Sequence, residues 1–275
     1  MDFWEKISQI DRRIIYMLLA LVIVVPLITQ AKSRIRVSPH VQSAYDAVEG
    51  LPERAVVMIS IDYDAASMPE LQPMLKAILR HCFKRRLRVL LIVQWPLGAP
   101  LGTMGLEEVA KETGAEYGVD YVNLGYRPGY IAQMVGLGRE IRDYFEVDYR
   151  GTPLDSLPMM DDIHNYNDID LLVGLEAGAT GDAWVQYAGA RFGQKIFLGV
   201  TAVSAPDAYP YLQSGQIVGL LGGLKGAAEY EVLTGHPDIA VTGMTAQSWG
   251  HALIIFFIIL GNIGFFVVRR RKKGV

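Results

Sequence analysis

Ala55-Val-Val-Met-Ile-Ser-Ile61 and Arg88-Val-Leu-Leu-Ile-Val-Gln94 are two runs of seven residues, apolar at nearly every position instead of every second one. A strand with that composition is covered on both of its faces. Between the runs, Leu71, Met74, Leu75, Ile78, Leu79, Cys82 and Phe83 recur at steps of one, three and four. Lys76, Arg80, Lys84 and Arg85 fall elsewhere. That spacing predicts an amphipathic helix over 69–84, with Cys82 on its apolar face and His81 on its surface. Strand, helix and strand of this kind make a parallel unit with a right-handed crossover.

The pattern continues along the chain. Further strands are expected at 117–124, 169–175, 195–200 and 216–221, with helices near 104–114, 129–145, 182–193, 206–214 and 223–234. The fold class is therefore α/β: a mainly parallel, Rossmann-like sheet of about six strands with helices on both faces. This domain occupies 51–235. A connecting segment, 32–50, holds one more helix from Pro39 to Glu49, with Ser38 as its N-cap. A domain of this size buries about 70% of its unfolded surface without a covalent staple. Cys82 is the single cysteine, so no internal disulfide forms.

The flanks have a different character. Residues 252–268 are apolar almost without interruption, and Arg269-Arg-Arg-Lys-Lys273 follows at once. With Trp249 at its outer end, 249–268 has about the 20 residues that cross a hydrocarbon core of roughly 30 Å. The basic tail, 269–275, is placed in the cytoplasm by the positive-inside tendency. A second apolar stretch, 14–28, follows Lys6, Arg12 and Arg13. It reads as a transmembrane anchor over 14–29, or as a signal peptide with Pro26 ending its apolar core and Thr29-Gln30-Ala31 as the cleavage site. Phe3, Trp4, Ile7 and Ile10 suit an amphipathic lead-in over 1–13 at the bilayer surface. Residues 236–248 are expected to be a linker. On this reading the protein is integral to the membrane, with both termini cytoplasmic and the main domain extracytoplasmic.

Charge narrows the partners. The chain has 26 basic and 29 acidic residues, a net of −3. Eight of the basic and three of the acidic ones lie before residue 14 or after 268, which leaves 18 against 26, a net of −8, between them. An acidic surface repels phosphate backbones and excludes nucleic acid as a partner.

In a parallel α/β sheet, ligand sites lie at the carboxyl edge. Candidate residues there are Asp62 and Asp64 after the first strand, and Gln94 and Trp95 after the second. Asn123, Tyr126 and Arg127 follow the third, Glu176 and Asp182 the fourth, Ser204 and Asp207 the fifth. The ligand-binding set is Asp62, Asp64, Asn123, Tyr126, Arg127, Glu176 and Ser204, expected to converge in one pocket. Arg127 suits a carboxylate or phosphate through its planar fork. Asp62 and Glu176 suit hydroxyls or a cation, and Asp62 with Asp64 are spaced to share one. Asp182 and Asp207 also fit helix N-caps. Tyr63, Tyr126, Tyr130, Tyr209 and Tyr211 offer stacking surface. Both connections to the membrane are expected at the amino edge, so that the carboxyl edge faces away from the bilayer.

Two glycine-bearing runs have resemblances. Glu176-Ala-Gly-Ala-Thr-Gly181 resembles the dinucleotide fingerprint with its first glycine replaced by Glu, which puts a negative charge where a pyrophosphate lies. Ser214-Gly-Gln-Ile217 is similar to the entry to a late strand in type I periplasmic sugar-binding proteins, over about ten residues. That family has two lobes where this chain has length for one, and no function is carried over. Gly222 and Gly223 either bare backbone N–H groups beside Lys225 or pack the last helix on the sheet. No G-x-S-x-G, H-E-x-x-H or Walker motif occurs, and the five histidines show no zinc spacing. No catalytic residue, metal or cofactor is assigned. Residues 146–167 form a long irregular stretch on the amino edge, where Met159 and Met160 suit contact with a neighbour or the bilayer, or packing within the domain. The function expected is a non-enzymatic subunit of a cell-envelope membrane assembly, its partners the lipid bilayer and other membrane proteins or a second copy. The alternatives are a ligand-binding or sensory domain for a small molecule, and a hydrolase or transferase built on Asp62, Asp64 and Glu176.

Overall fold

The computed structural model of the protein describes residues 11–273, the side chains of 268 and 270–273 excepted. The lead-in residues Phe3, Trp4, Ile7 and Ile10 lie outside the described residues. The described residues divide into two units, 35–240 and 11–34 with 241–273.

The larger unit is α/β. Its strands are β1 (Val56–Asp62), β2 (Arg88–Val93), β3 (Tyr121–Tyr126), β4 (Leu171–Glu176), β5 (Ile196–Val200) and β6 (Gly219–Gly222). All pairings are parallel, in the order β3-β2-β1-β4-β5-β6. Ahead of β1 lies α2 (Pro39–Glu49); the crossovers carry α3 (Met68–Lys84), α4 (Ala99–Thr113), α5 (Tyr130–Leu137), α6 (Thr180–Trp184) and α7 (Ala205–Gln213), and α8 (Gly223–Leu233) follows β6. Helices α2, α3, α4 and α8 cover the face bearing Val57, Ile59 and Ile61 of β1. The other face, bearing Met58, Leu90, Leu172 and Leu198, is covered by α5, α6, α7 and residues 141–169. Full burial of β1 follows from this double cover.

Several boundaries differ from expectation for local reasons. β3 starts at Tyr121, because Asp120 N–H closes a turn on the Glu116 carbonyl at 2.8 Å. β6 starts at Gly219, since the N–H groups of Gln216 and Ile217 both turn back to the Tyr211 carbonyl. Helix α5 ends at Leu137, and 138–145 contains only a 3-10 turn. Helix α6 passes at once into a π-helical turn, Val185–Ala190. Residues 141–169 are built from four short 3-10 turns. Met159 and Met160 are buried among Leu154, Leu157, Ile163 and Tyr166, so they serve the core and not an outside contact. This segment does lie by the amino edge, where Asp162 pairs with Arg88 at the start of β2.

His81 is not a surface residue. It is 2% exposed, stacked on Tyr45 with ring centroids 4.4 Å apart, and its two nitrogens meet Tyr230 Oη and Glu49 Oε2 at 2.8 Å each. Burial holds its pKa below the ordinary imidazole value against the pull of Glu49. Cys82 is buried as expected, and its thiol is pushed up to about 12. Tyr63, expected as stacking surface, is fully buried and donates to Gln72 Oε1 at 2.7 Å.

Both ends of this unit are tied to α8. Ser38 donates its backbone N–H to Glu229 at 2.8 Å, and its hydroxyl also bonds that carboxylate instead of capping α2. Glu231, two residues on, accepts from the backbone N–H groups of Asp238 (2.8 Å) and Ala240 (3.0 Å). Since α2 runs back towards the amino edge and is about 16 Å long, the chain enters the unit at Ser38, a helix length from that edge. The expectation of two connections at the amino edge omitted this helix.

The smaller unit pairs α1 (Arg12–Thr29) with most of α9 (Ile239–Lys273). Asp11 caps α1 by accepting from Arg13 N–H at 2.9 Å, and Pro26 lies within the helix without ending it. Helix α9 is continuous for 35 residues, so the expected linker is helical from Ile239 onward. The two helices touch where Gly250 faces Ile23 and Leu19. Ser33 N–H donates to Thr245 Oγ1 at 3.0 Å. Arg12–Thr29 and Ile239–Val267 are each long and apolar enough to cross a membrane.

Candidate functional site

The strand order reverses between β1 and β4, whose crossovers leave towards opposite faces and open a crevice at their carboxyl ends. Asp62 and Glu176 are register partners at that point, and Gln94 follows β2 beside them. Alternation puts Asp62 and Glu176 on the face of Met58 and Leu172, towards α6. Asp62 is fully buried. It accepts from Ser60 Oγ at 2.9 Å, Gln94 N–H at 3.0 Å and Trp184 Nε1 at 3.2 Å. Burial drives its pKa up to about 7, against the downward pull of those donors. Glu176 is held well above the ordinary carboxylate range by burial first, then by the charges of Asp62 and Asp182. The side-chain amide of Gln94 is buried here without a hydrogen-bond partner among the described residues, while Thr180 beside Glu176 tempers the rise of its pKa.

The resemblance to a dinucleotide fingerprint is resolved by the two glycines. A Cβ on Gly181 would stand 1.6 Å from Glu176 Oε1, and one on Gly178 would stand 2.9 Å from Trp95. Both glycines therefore admit the chain's own side chains: Glu176 fills the place an anion would take, and Trp95 lies across the loop. On the other side of the crevice, Tyr63 turns into the core. What remains is a closed, acidic site in which two adjacent carboxylates hold a proton at near-neutral pH.

The other expected site residues have local settings of their own. Asp64 folds back on the Ala66 N–H (3.0 Å) in the turn before α3. Ser204 bonds Thr201 in the turn before α7. Asp182 and Asp207 lie in the first turns of their helices, whose N-caps are Ala179 and Ser204. Asn123 is buried inside β3 at its irregular register, where it donates to Thr103 Oγ1 and accepts from Gly125 N–H. Tyr126 and Arg127 end β3, about 10 Å from β1 and about 14 Å from β4 by strand spacing. Tyr130 and Tyr209 are exposed as expected.

Tyr126 and Arg127 instead border a second feature, a cleft of about 840 Å³ between α4 and the end of the edge strand β3. Its apolar wall is Pro100 and Met104; Glu107, Glu108 and Lys111 also line it. The residues that sequence reasoning missed are Ser60, Thr180 and Trp184. Ser60 carried a signal, as the one polar position inside the apolar run of β1. Among the described residues no group of three or more His, Cys, Asp or Glu could hold a metal ion. No protein-family model, curated protein or solved structure matches this chain.

Proposed function

We propose that this protein is a non-enzymatic subunit of a cell-envelope membrane assembly, held in the bilayer by α1 and α9, with both termini cytoplasmic and the α/β domain outside. The observation that carries the reading is the filling of the switch-point crevice by Glu176 and Trp95. A doubly wound sheet whose ligand crevice is filled by its own side chains serves as a scaffold. Two apolar helices and the basic run 269–273 support the anchoring and its orientation. The loops at the carboxyl edge supply a contact surface, with Val203 85% and Leu97 68% exposed. A hydrolase or transferase built on Asp62, Asp64 and Glu176 is the weaker alternative, because Asp62 is buried in hydrogen bonds and Asp64 belongs to a turn.

Photo-crosslinking residues placed at Leu97 and Val203 of the full chain in its native membrane test this proposal. Discrete crosslinked species and an oligomeric native mass in mild detergent are expected. A monomeric mass with no discrete crosslink at either position would overturn it. A second reading, a small-molecule sensor at the crevice, draws on the buried, unpartnered side-chain amide of Gln94 beside Glu176. Ligand-dependent thermal shifts lost on Glu176→Gln would favour that reading.

A further inference from the structure

The cleft beside β3 has an unusual charge arrangement for so acidic a domain. Its two carboxylates are already engaged. Glu107 accepts from Tyr149 Oη at 2.6 Å and pairs with Arg150 at 3.1 Å, and Glu108 pairs with Lys76 at 2.7 Å. Arg150 is in turn fixed over the Tyr117 ring, 3.8 Å from its centroid. The hydrogen bond from Tyr149, with the charge of Arg150, holds Glu107 below the ordinary carboxylate range and so keeps it ionised. The two cations of the cleft, Arg127 and Lys111, form no ion pair with any carboxylate among the described residues. Arg127 makes one long hydrogen bond, 3.3 Å, to the Tyr126 carbonyl, and its guanidinium lies 5.7 Å from the centre of the Phe145 ring. Most of the fork's donors are thus uncommitted among the described residues.

We propose that this cleft binds an amphiphilic organic anion, its carboxylate or phosphate head held by Arg127 and its apolar body against Pro100, Met104 and the Tyr126 ring. A volume of about 840 Å³ lies within the range of roughly 300–1,000 Å³ usual for small-molecule sites. An apolar wall with a few convergent polar groups is the composition such sites have. Lys111 adds long-range attraction at the rim. The inference stands on the cleft alone and does not rest on the assembly reading.

The test uses the full chain in lipid nanodiscs, with 6-fluoro-2-naphthoate as probe and fluorine NMR as readout, empty nanodiscs being subtracted. Saturable binding is expected, with the uncharged 6-fluoro-2-naphthamide at least tenfold weaker. Arg127→Ala should weaken binding at least tenfold. Met104 is 46% exposed, so Met104→Glu leaves the fold intact and should weaken binding comparably by placing a negative charge on the wall. Equal binding of acid and amide, unchanged affinity in both variants, or no saturable binding by the natural chain would each overturn the proposal.

Discussion

Glu176 and Gly181 occupy each other's space: the carboxylate rests where a side chain on the glycine would begin, 1.6 Å from an ideal Cβ. Gly181→Ala must therefore expel Glu176 from the crevice and disturb the turn into α6. We expect a loss of about 1–3 kcal/mol, the usual range for overpacking a filled site. In a Glu176→Ala background the same change should be much milder. A double-mutant cycle by thermal denaturation of the full chain checks this, and additive effects would show that the two residues are not in contact.

Asp62 sets a pH dependence of definite sign. Its folded pKa, about 7, lies above the ordinary 3.8, so the folded state binds more protons between those values. Stability is then fully present at the acid end and declines as pH rises towards 7, by up to about 1.4 kcal/mol per pH unit. Asp62→Asn should abolish this part of the slope. The difference in melting temperature between the variant and the natural chain should shift in favour of the variant from pH 5 to pH 7. Parallel curves would show that Asp62 does not titrate there.

His81 works in the opposite sense. Its folded pKa is depressed below 6.5, chiefly by burial, so the folded state binds fewer protons than the unfolded one on the acid side. The stability it contributes is present above pH 6.5 and is lost as pH falls below that value. His81→Gln removes the titration while keeping a hydrogen-bonding side chain between Glu49 and Tyr230. The natural chain should lose more stability than this variant between pH 7 and pH 5, as read by denaturant titration.

Topology is testable with one introduced thiol. Ser156 is exposed, whereas Cys82 is fully buried with its thiol pushed up to about 12, so the natural chain is an unreactive background. Ser156→Cys should react with a membrane-impermeant maleimide in intact spheroplasts. Labelling only after lysis would place the domain in the cytoplasm.

The sheet was legible because buried strands such as β1 and β4 are written as nearly continuous apolar runs, and α3 as a clean helical stripe. Residues 141–169 were not, since their buried side chains follow short 3-10 turns that leave no regular period. The carboxyl edge was legible as a list of polar residues but not as a site. Strand order is a long-range property, and it decides that Asp62 meets Glu176 while Arg127 ends up beside α4. His81 and Tyr63 were misplaced because a polar atom was read as a wish for solvent; each finds its partners inside.

Glu229 and Glu231 have a mechanical consequence. Entry at Ser38 and exit at Asp238 and Ala240 are fastened to the same helix, α8. Tension applied to the domain through its two ends is thus carried across a single clasp of buried carboxylate bonds, and the six strands are bypassed. Under load, the clasp at α8 should give way first, with the sheet still intact.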